Sequence, residues 1–484
     1  MTSTPHKNWT LLAVCLGTFM LLIDITIVVV ALPQIRGSLH TSFSDVQWMV
    51  DAYSLSLAAL LLPTGSLADI FGRRTVFAAG LGIFTLGSLL CGVAGSGTEL
   101  IIWRVLQGIG GATVFATSLA LLAQTFHGRE RGVAFGAWGA VAAASTALGP
   151  LLGGILTTEL SWHWIFIVNV PIGAFAILIT LTKVAEFRPP QHRQVDVAGF
   201  LVFTLGLTAL VYGLIDSGLD GWGATKVQVA LVIAAGLLVA FPLVELLVRQ
   251  PMFNLALFRK PTFLGGSIAA FAMNGSLFAM FLYIVLYFQN ADHFSALGCG
   301  WRLAIITAGS LLTAIPAGRL SAHMPVRFLI GPGLGLVGAG LLLMRGLGAG
   351  TDWTHLIPGF VVAGLGSGMV NAPLASTAVG VVAPQDSGMA SGINTTFRQV
   401  GIATSVAALG SIFASKLKSA TPATVSVHYA SAVSELCLIT ALLAFAGGAC
   451  ALVLIRPRDF HVHAPDRPTP EGEAGSPVPV GAGH

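Results

Sequence analysis

Apolar runs of about 20 residues recur from one end of the chain to the other, and a helix of that length spans a bilayer. About fourteen such stretches follow one another, the first near residues 11–32 and the last near 433–455. Short connections that carry most of the charge separate them. Of the 484 residues, 55% are hydrophobic and only 9% charged. Soluble domains carry about 25% charged residues, so this chain cannot clothe a water-facing surface. Lipid is its solvent, and the reading is an all-α integral membrane protein. The 58 glycines fit that reading, because Gly lets membrane helices approach closely.

Composition also removes other classes. The formal charge is +4 and its basic residues are scattered between apolar runs, which argues against a nucleic-acid partner. No GxxxxGK[ST] phosphate loop occurs, so ATP is not the evident energy source. No metal-ligand spacing or hydrolase motif occurs, and the expectation is no metal, no cofactor and no enzyme. Cys15, Cys91, Cys299, Cys437 and Cys450 lie in or beside apolar runs and read as small buried hydrophobes. The first apolar stretch lacks the layout of a cleaved signal peptide.

Lys and Arg set the orientation, since they gather in cytoplasmic connections. One side collects most of them, among them Lys7, Arg73, Arg74, Lys183, Arg259 and Lys260. The other side holds Arg36, Lys226, Arg302, Arg345, Lys416 and Lys418. Both termini are therefore expected in the cytoplasm. The tail 457–484 is rich in Pro, Gly and polar residues and is expected to be disordered.

The chain also repeats itself. Pro63, Gly65, Leu67 and Arg74 recur at one constant spacing as Pro316, Gly318, Leu320 and Arg327. At nearly the same spacing, Gly108, Gly110, Gly132 and Gly136 recur as Gly364, Gly366, Gly388 and Gly392. Eight spans separate equivalent points, so a six-span unit is duplicated with two spans between the copies. Parallel repeats of this kind build transporters with a binding site between the halves.

Against this background Asp24 is conspicuous. It lies in "LLIDITIVVVALPQI" (21–35), about eight residues from the outer end of span 1, or roughly 12 Å deep. A charge at the bilayer centre costs at least about 2.5–3.5 kcal/mol. A carboxylate there either binds and releases a proton or is permanently paired. Arg104 lies about four residues into span 4, or roughly 6 Å, and its long side chain reaches toward that depth. A pair that forms and breaks with the proton would couple chemistry to conformation; the alternative is an Arg that snorkels to the headgroups. Pro150 bends span 5, and Gly149, Gly153 and Gly154 permit a tight seam beside it. Gln107, Asn371, Asn394 and Arg398 are polar groups inside spans and are candidate cavity residues. Span 9 is rich in Phe, Met and Tyr, which suits a pliable pocket or a lipid-facing helix.

Five segments resemble motifs of the major facilitator superfamily, and more narrowly its fourteen-span drug:proton antiporter family. They are "LIDITIVVVALP" (22–33), "GSLADIFGRR" (65–74), "RVLQGIGGA" (104–112), "STALGPLLGG" (145–154) and "WHWIFIVNVPIG" (162–173). Ser145 stands where the antiporter motif has Gly, and Ile70 where many relatives carry a basic residue. The resemblance implies two six-helix bundles plus two extra helices. The layout is a cytoplasmic N-terminus at 1–10, a bundle at 11–185, inserted helices at 186–260, a second bundle at 261–456 and the tail at 457–484. It implies a bacterial inner-membrane exporter of drug-like molecules, driven by the proton gradient. Asp24 and Arg104 would couple the proton. Gly65, Asp69, Gly72, Arg73 and Arg74 would gate the cytoplasmic end, with Asp69 pairing or capping across to the other half. Gly149–Gly154 would mark an exporter. The remaining partners are protons and the bilayer; substrate identity and oligomeric state are not written in the sequence.

Overall fold

The protein is described by a computed structural model covering residues 5–126, 128–187, 196–321, 324–348, 350–382, 387–421 and 424–460. All regular structure among these residues is helical. The helices are α1 (Pro5–Leu39), α2 (Phe43–Phe71), α3 (Arg73–Gly92), α4 (Gly97–Thr125), α5 (Gly128–Glu159), α6 (Trp164–Ile167), α7 (Asn169–Lys183), α8 (Val197–Asp220) and α9 (Thr225–Leu247). There follow α10 (Pro261–Met273), α11 (Ala279–Asn290), α12 (Ala296–Leu320), α13 (Arg327–Leu343), α14 (Ile357–Gly380), α15 (Ser387–Leu417) and α16 (Val425–Leu454). α6 and α7 form one apolar run, and a π-helical turn at Asn274–Phe278 joins α10 to α11.

Polar caps and Gly punctuate the apolar runs. Ser42 and Asp45 form a reciprocal capping box at the start of α2, and Ser96, Asp196 and Ser295 cap α4, α8 and α12. Between α2 and α3 the chain turns on Gly72 alone, at φ +101°, a region L side chains avoid. The terminal end of the bundle carries the starts of α1 and α5, tied by Lys7–Glu130, and the end of α16 beside the start of α10. The opposite, far end carries the short turn between α1 and α2.

Every one of the fourteen predicted stretches falls on helix. Twelve helical segments among the described residues are long and apolar enough to cross a membrane, against the fourteen expected. α13 is apolar but only 17 residues long, about 26 Å at 1.5 Å per residue. α5 opens on the charged "GRERG" and runs on through Gly, Ala and Ser, so its apolar character is weaker. Of the tail expected to be disordered, residues 461–484 lie outside the described residues, whereas Pro457–Asp459 form a 3-10 turn and Asp459 accepts from the Thr262 hydroxyl (2.6 Å).

The repeat reappears in packing. Gly108 of α4 lies against Tyr53 and Ser56 of α2, and Gly364 of α14 lies against Ile306 of α12. Gly110 lies against Gly80 and Phe84 of α3, and Gly366 against Gly333 and Leu336 of α13. Equivalent glycines thus seat α4 and α14 on equivalent neighbours. α8 and α9 pack on each other, and α8 also lies on α2 and α15.

The two halves meet in two places. Along α2 and α15, Leu55, Ala58 and Leu62 share an apolar core with Phe263, Val381, Ile393 and Ala407. At the far end they meet again. One apolar core joins Ile27–Leu32, Met49 and Trp162 of the first half to Leu282–Phe288, Cys299 and Phe413 of the second. Toward the terminal end, Val14, Leu57, Phe77, Leu121 and Ala176 form a core of first-half residues alone. Contacts across the seam include Gln289 Nε2 to the Val30 carbonyl (2.8 Å) and Leu297 N to Thr158 Oγ1 (3.2 Å).

Candidate functional site

Helices α1, α3 and α4 bring a polar cluster into the apolar interior of the first half. Asp24 is fully buried and Arg104 is 2% exposed. They form an ion pair through Arg104 Nη1 and Asp24 Oδ2. Gln107, one turn along α4, donates from Nε2 to Asp24 Oδ1 (2.7 Å) and lies 2.8 Å from Ser88 Oγ of α3. Its Oε1 accepts from Arg104 Nη1 at 2.6 Å. Arg104 Nε donates to the Met49 carbonyl (3.0 Å), and its guanidinium lies 4.2 Å from the centre of the Tyr53 ring. Arg104 therefore does not snorkel. The length of its side chain carries the charge from a shallow backbone position down to Asp24.

A buried ion pair gains stability only when further hydrogen bonds satisfy both partners. Here the carboxylate has a partner on each oxygen, and the guanidinium has a carbonyl, an amide and an aromatic face. Chemically, the cluster can take up one proton. A protonated Asp24 is neutral and leaves the Arg104 charge to Gln107, the Met49 carbonyl and Tyr53 alone, which destabilises the present geometry.

The α5 segment Gly149–Gly154 links this cluster to the second half. Any side chain at Gly149 or Gly153 would collide with Thr26 or Ile27, just beyond Asp24 on α1. On its other face, a Cβ at Gly154 would stand 2.7 Å from Leu297 Cα, and one at Gly300 of α12 would stand 2.4 Å from the Pro150 carbonyl oxygen. One helix thus rests its small residues on α1 and on the opposite half.

At the terminal end Asp69 bonds Arg73 within its own half (3.2 Å), and Arg73 also reaches the Ala120 carbonyl. Among the described residues, the bonds Asp69 makes stay within its own half. Gly65 has nothing close to its Cβ position. Arg74 faces Glu186, a residue the sequence reading passed over because it lies in a connection. Glu186 accepts from Arg74 N (3.0 Å), Thr75 N (3.1 Å) and Thr75 Oγ1, clamping the start of α3. Burial alone would raise its pKa; hydrogen bonds from the Thr75 hydroxyl and from the Phe187, Arg74 and Thr75 amides outweigh it and hold the carboxyl below the usual range.

Asn371, Asn394 and Arg398 come together: Arg398 donates to Asn394 Oδ1 (3.3 Å) and to Asn371 Oδ1 (3.1 Å). Gln107, grouped with them in the sequence reading, belongs to the Asp24 cluster instead. The apolar and aromatic residues Ala279–Phe288 of α11 are buried on every face, within the seam between the halves. A 240 Å³ cavity bounded by Leu214, Phe271, Gly275, Thr404 and Leu443 contains none of the predicted residues. Asp51 was missed altogether. It is fully buried, with neither carboxylate oxygen hydrogen-bonded.

The family model of the Major Facilitator Superfamily matches residues 14–406 and 262–479. The chain is 33% identical over 427 residues to the "Multidrug resistance protein Stp" of Mycobacterium tuberculosis, covering 88% of this chain and 79% of that one. It is 33% identical over 428 residues to the "Tetracenomycin C resistance and export protein" of Streptomyces glaucescens, covering 85% and 77%. Its fold is similar to that of a bacterial homologue of the human lysosomal transporter Spinster, with a TM-score of 0.65 and 17% identity over 96% of this chain and 100% of that one.

Proposed function

Since the chain belongs to the Major Facilitator Superfamily, we propose that it exports drug-like molecules from a bacterial cytoplasm in exchange for protons. The bundle sits in the inner membrane with its terminal end cytoplasmic, as the Lys and Arg distribution requires. All fourteen helical runs cross, α5 and α13 among them, in two six-helix bundles with α8 and α9 inserted between. The conformation described above is then the one closed to the outside.

The observation that carries this reading is the Asp24–Arg104–Gln107 cluster, a charged pair and its bridging amide buried within membrane helices. In the cycle, a proton from outside neutralises Asp24 and frees Arg104. Gly149, Gly153 and Gly154 transmit the resulting shift of α1 to α12, and the halves rock. Loss of the proton to the cytoplasm restores the pair. The resistance and export functions named for the relatives support an outward direction. The Arg398–Asn371–Asn394 group supplies a polar contact in the second half for a substrate between the bundles.

Expression in an efflux-deficient bacterium tests the reading. The protein is expected to raise tolerance to at least one compound of a broad toxic panel, and an uncoupler is expected to abolish the gain. Tolerance that survives the uncoupler would rule out the proton as driver. A second reading, export of one self-made antibiotic, is favoured by the tetracenomycin relative; it predicts that a single chemical class responds.

A further inference from the structure

We propose that Asp51 is a proton-operated latch, so that the far end closes only while its carboxyl carries a proton. The proposal rests on the alternating-access reading above. Asp51 sits where three elements of the two halves converge. On its own helix, Gln47 lies one turn earlier and donates across the seam to the Val406 carbonyl of α15 (3.1 Å). Tyr283 of α11 donates to the same carbonyl. Asp51 lies within electrostatic reach of Tyr283. Yet Asp51 is 0% exposed, and neither oxygen has a partner.

Among the described residues, the cations of the surrounding elements are engaged elsewhere. Arg36 of α1 faces the Tyr429 hydroxyl of α16. Arg104 of α4 is committed to Asp24, Gln107 and the Met49 carbonyl. Glu99 of α4 caps its own helix. On α15, Arg398 bonds Asn371 and Asn394, and Lys416 pairs with Glu435. On α8, Asp216 and Asp220 are both held by Lys226. An ionised Asp51 would thus be a buried charge without a counterion, the costliest arrangement a protein interior can hold. A protonated Asp51 removes that penalty.

Opening the far end draws α2 away from α11 and α15 and lets water reach the carboxyl, where the ionised form is tolerated. The closed state therefore binds one more proton than the open one, and acid favours closure. For one proton the closed-to-open ratio changes by up to about tenfold per pH unit. Asp24 differs, because in this same conformation it already holds Arg104 as its counterion.

The test places spin labels at Ser38→Cys on α1 and Ser415→Cys on α15, in the full-length chain with its five cysteines replaced by Ala, and reads their distance in nanodiscs from pH 5 to pH 9. The short-distance population is expected to grow as pH falls. With Asp51→Asn it is expected to dominate at every pH. With Asp24→Asn the pH dependence is expected to persist while drug-driven proton movement is lost, which separates the latch from the coupling reading. If Asp51→Asn does not purify as a monodisperse protein, Asp51→Leu, neutral and of similar size, serves in its place. A neutral variant that titrates like its parent overturns the proposal, as does loss of the pH dependence in Asp24→Asn alone.

Discussion

At the scale of single residues, charge in an apolar setting is the informative signal. Asp24 and Arg104 could be found in the sequence because each interrupts a run of oily side chains. Their pairing could not, since the depth of a guanidinium depends on rotamer and not on backbone position. Gln107 carries no charge and so gave no hint that it bridges both partners. Asp51 was hidden for another reason: only the approach of α11 and α15, far away in sequence, seals it. The shape of Arg104 matters as much as its charge, because Nε and Nη1 serve different acceptors while the plane stacks on Tyr53. Arg104→Lys keeps the charge and loses this fork. Drug-driven proton movement in vesicles is expected to slow at least about tenfold, equivalent to roughly 1.4 kcal/mol; an unchanged rate would show that charge alone suffices.

At the scale of elements, helix positions were legible because hydrophobic length is a strong constraint. The break at Gly72 and the clamp from Glu186 were not, because they depend on a loop returning to the start of α3. Glu186→Gln should lower stability near pH 7 by about 0.3–1 kcal/mol, the usual worth of a carboxylate at a helix N-terminus. The sign of its pH dependence follows from the depressed carboxyl. The contribution is present above the unfolded-state value, about 4.3, and fades as pH falls through the lower folded-state value. Thermal melts of the two proteins should therefore differ at pH 7 and converge below pH 3. The α5–α12 seam gives a second element-scale expectation. Gly154→Val puts methyl groups where Leu297 Cα and the Ala296 carbonyl already stand. Overpacking of this kind costs about 1–3 kcal/mol, here charged to the far-closed state. Labelling of a cysteine at that seam should rise severalfold; unaltered labelling would show that the helices part without the small residue.

At the scale of the whole molecule, the duplicated unit announced itself through a few glycines and prolines. Two of the glycine pairs show their use: Gly108 and Gly110 sit where α4 crosses α2 and α3, and Gly364 and Gly366 where α14 crosses α12 and α13. Which end is closed had no sequence signal, since both conformations of a rocking bundle use one sequence. The present state joins the halves at the far end and leaves Asp69 and Arg73 to each other. The central claim is that one proton, carried by Asp24, drives the exchange between such states. Its most direct test is the pH change inside vesicles loaded with the protein when an exported drug is added. Wild type is expected to move protons against the drug. Asp24→Asn is expected to bind the drug yet move none. Proton movement in Asp24→Asn at the wild-type rate would contradict the account.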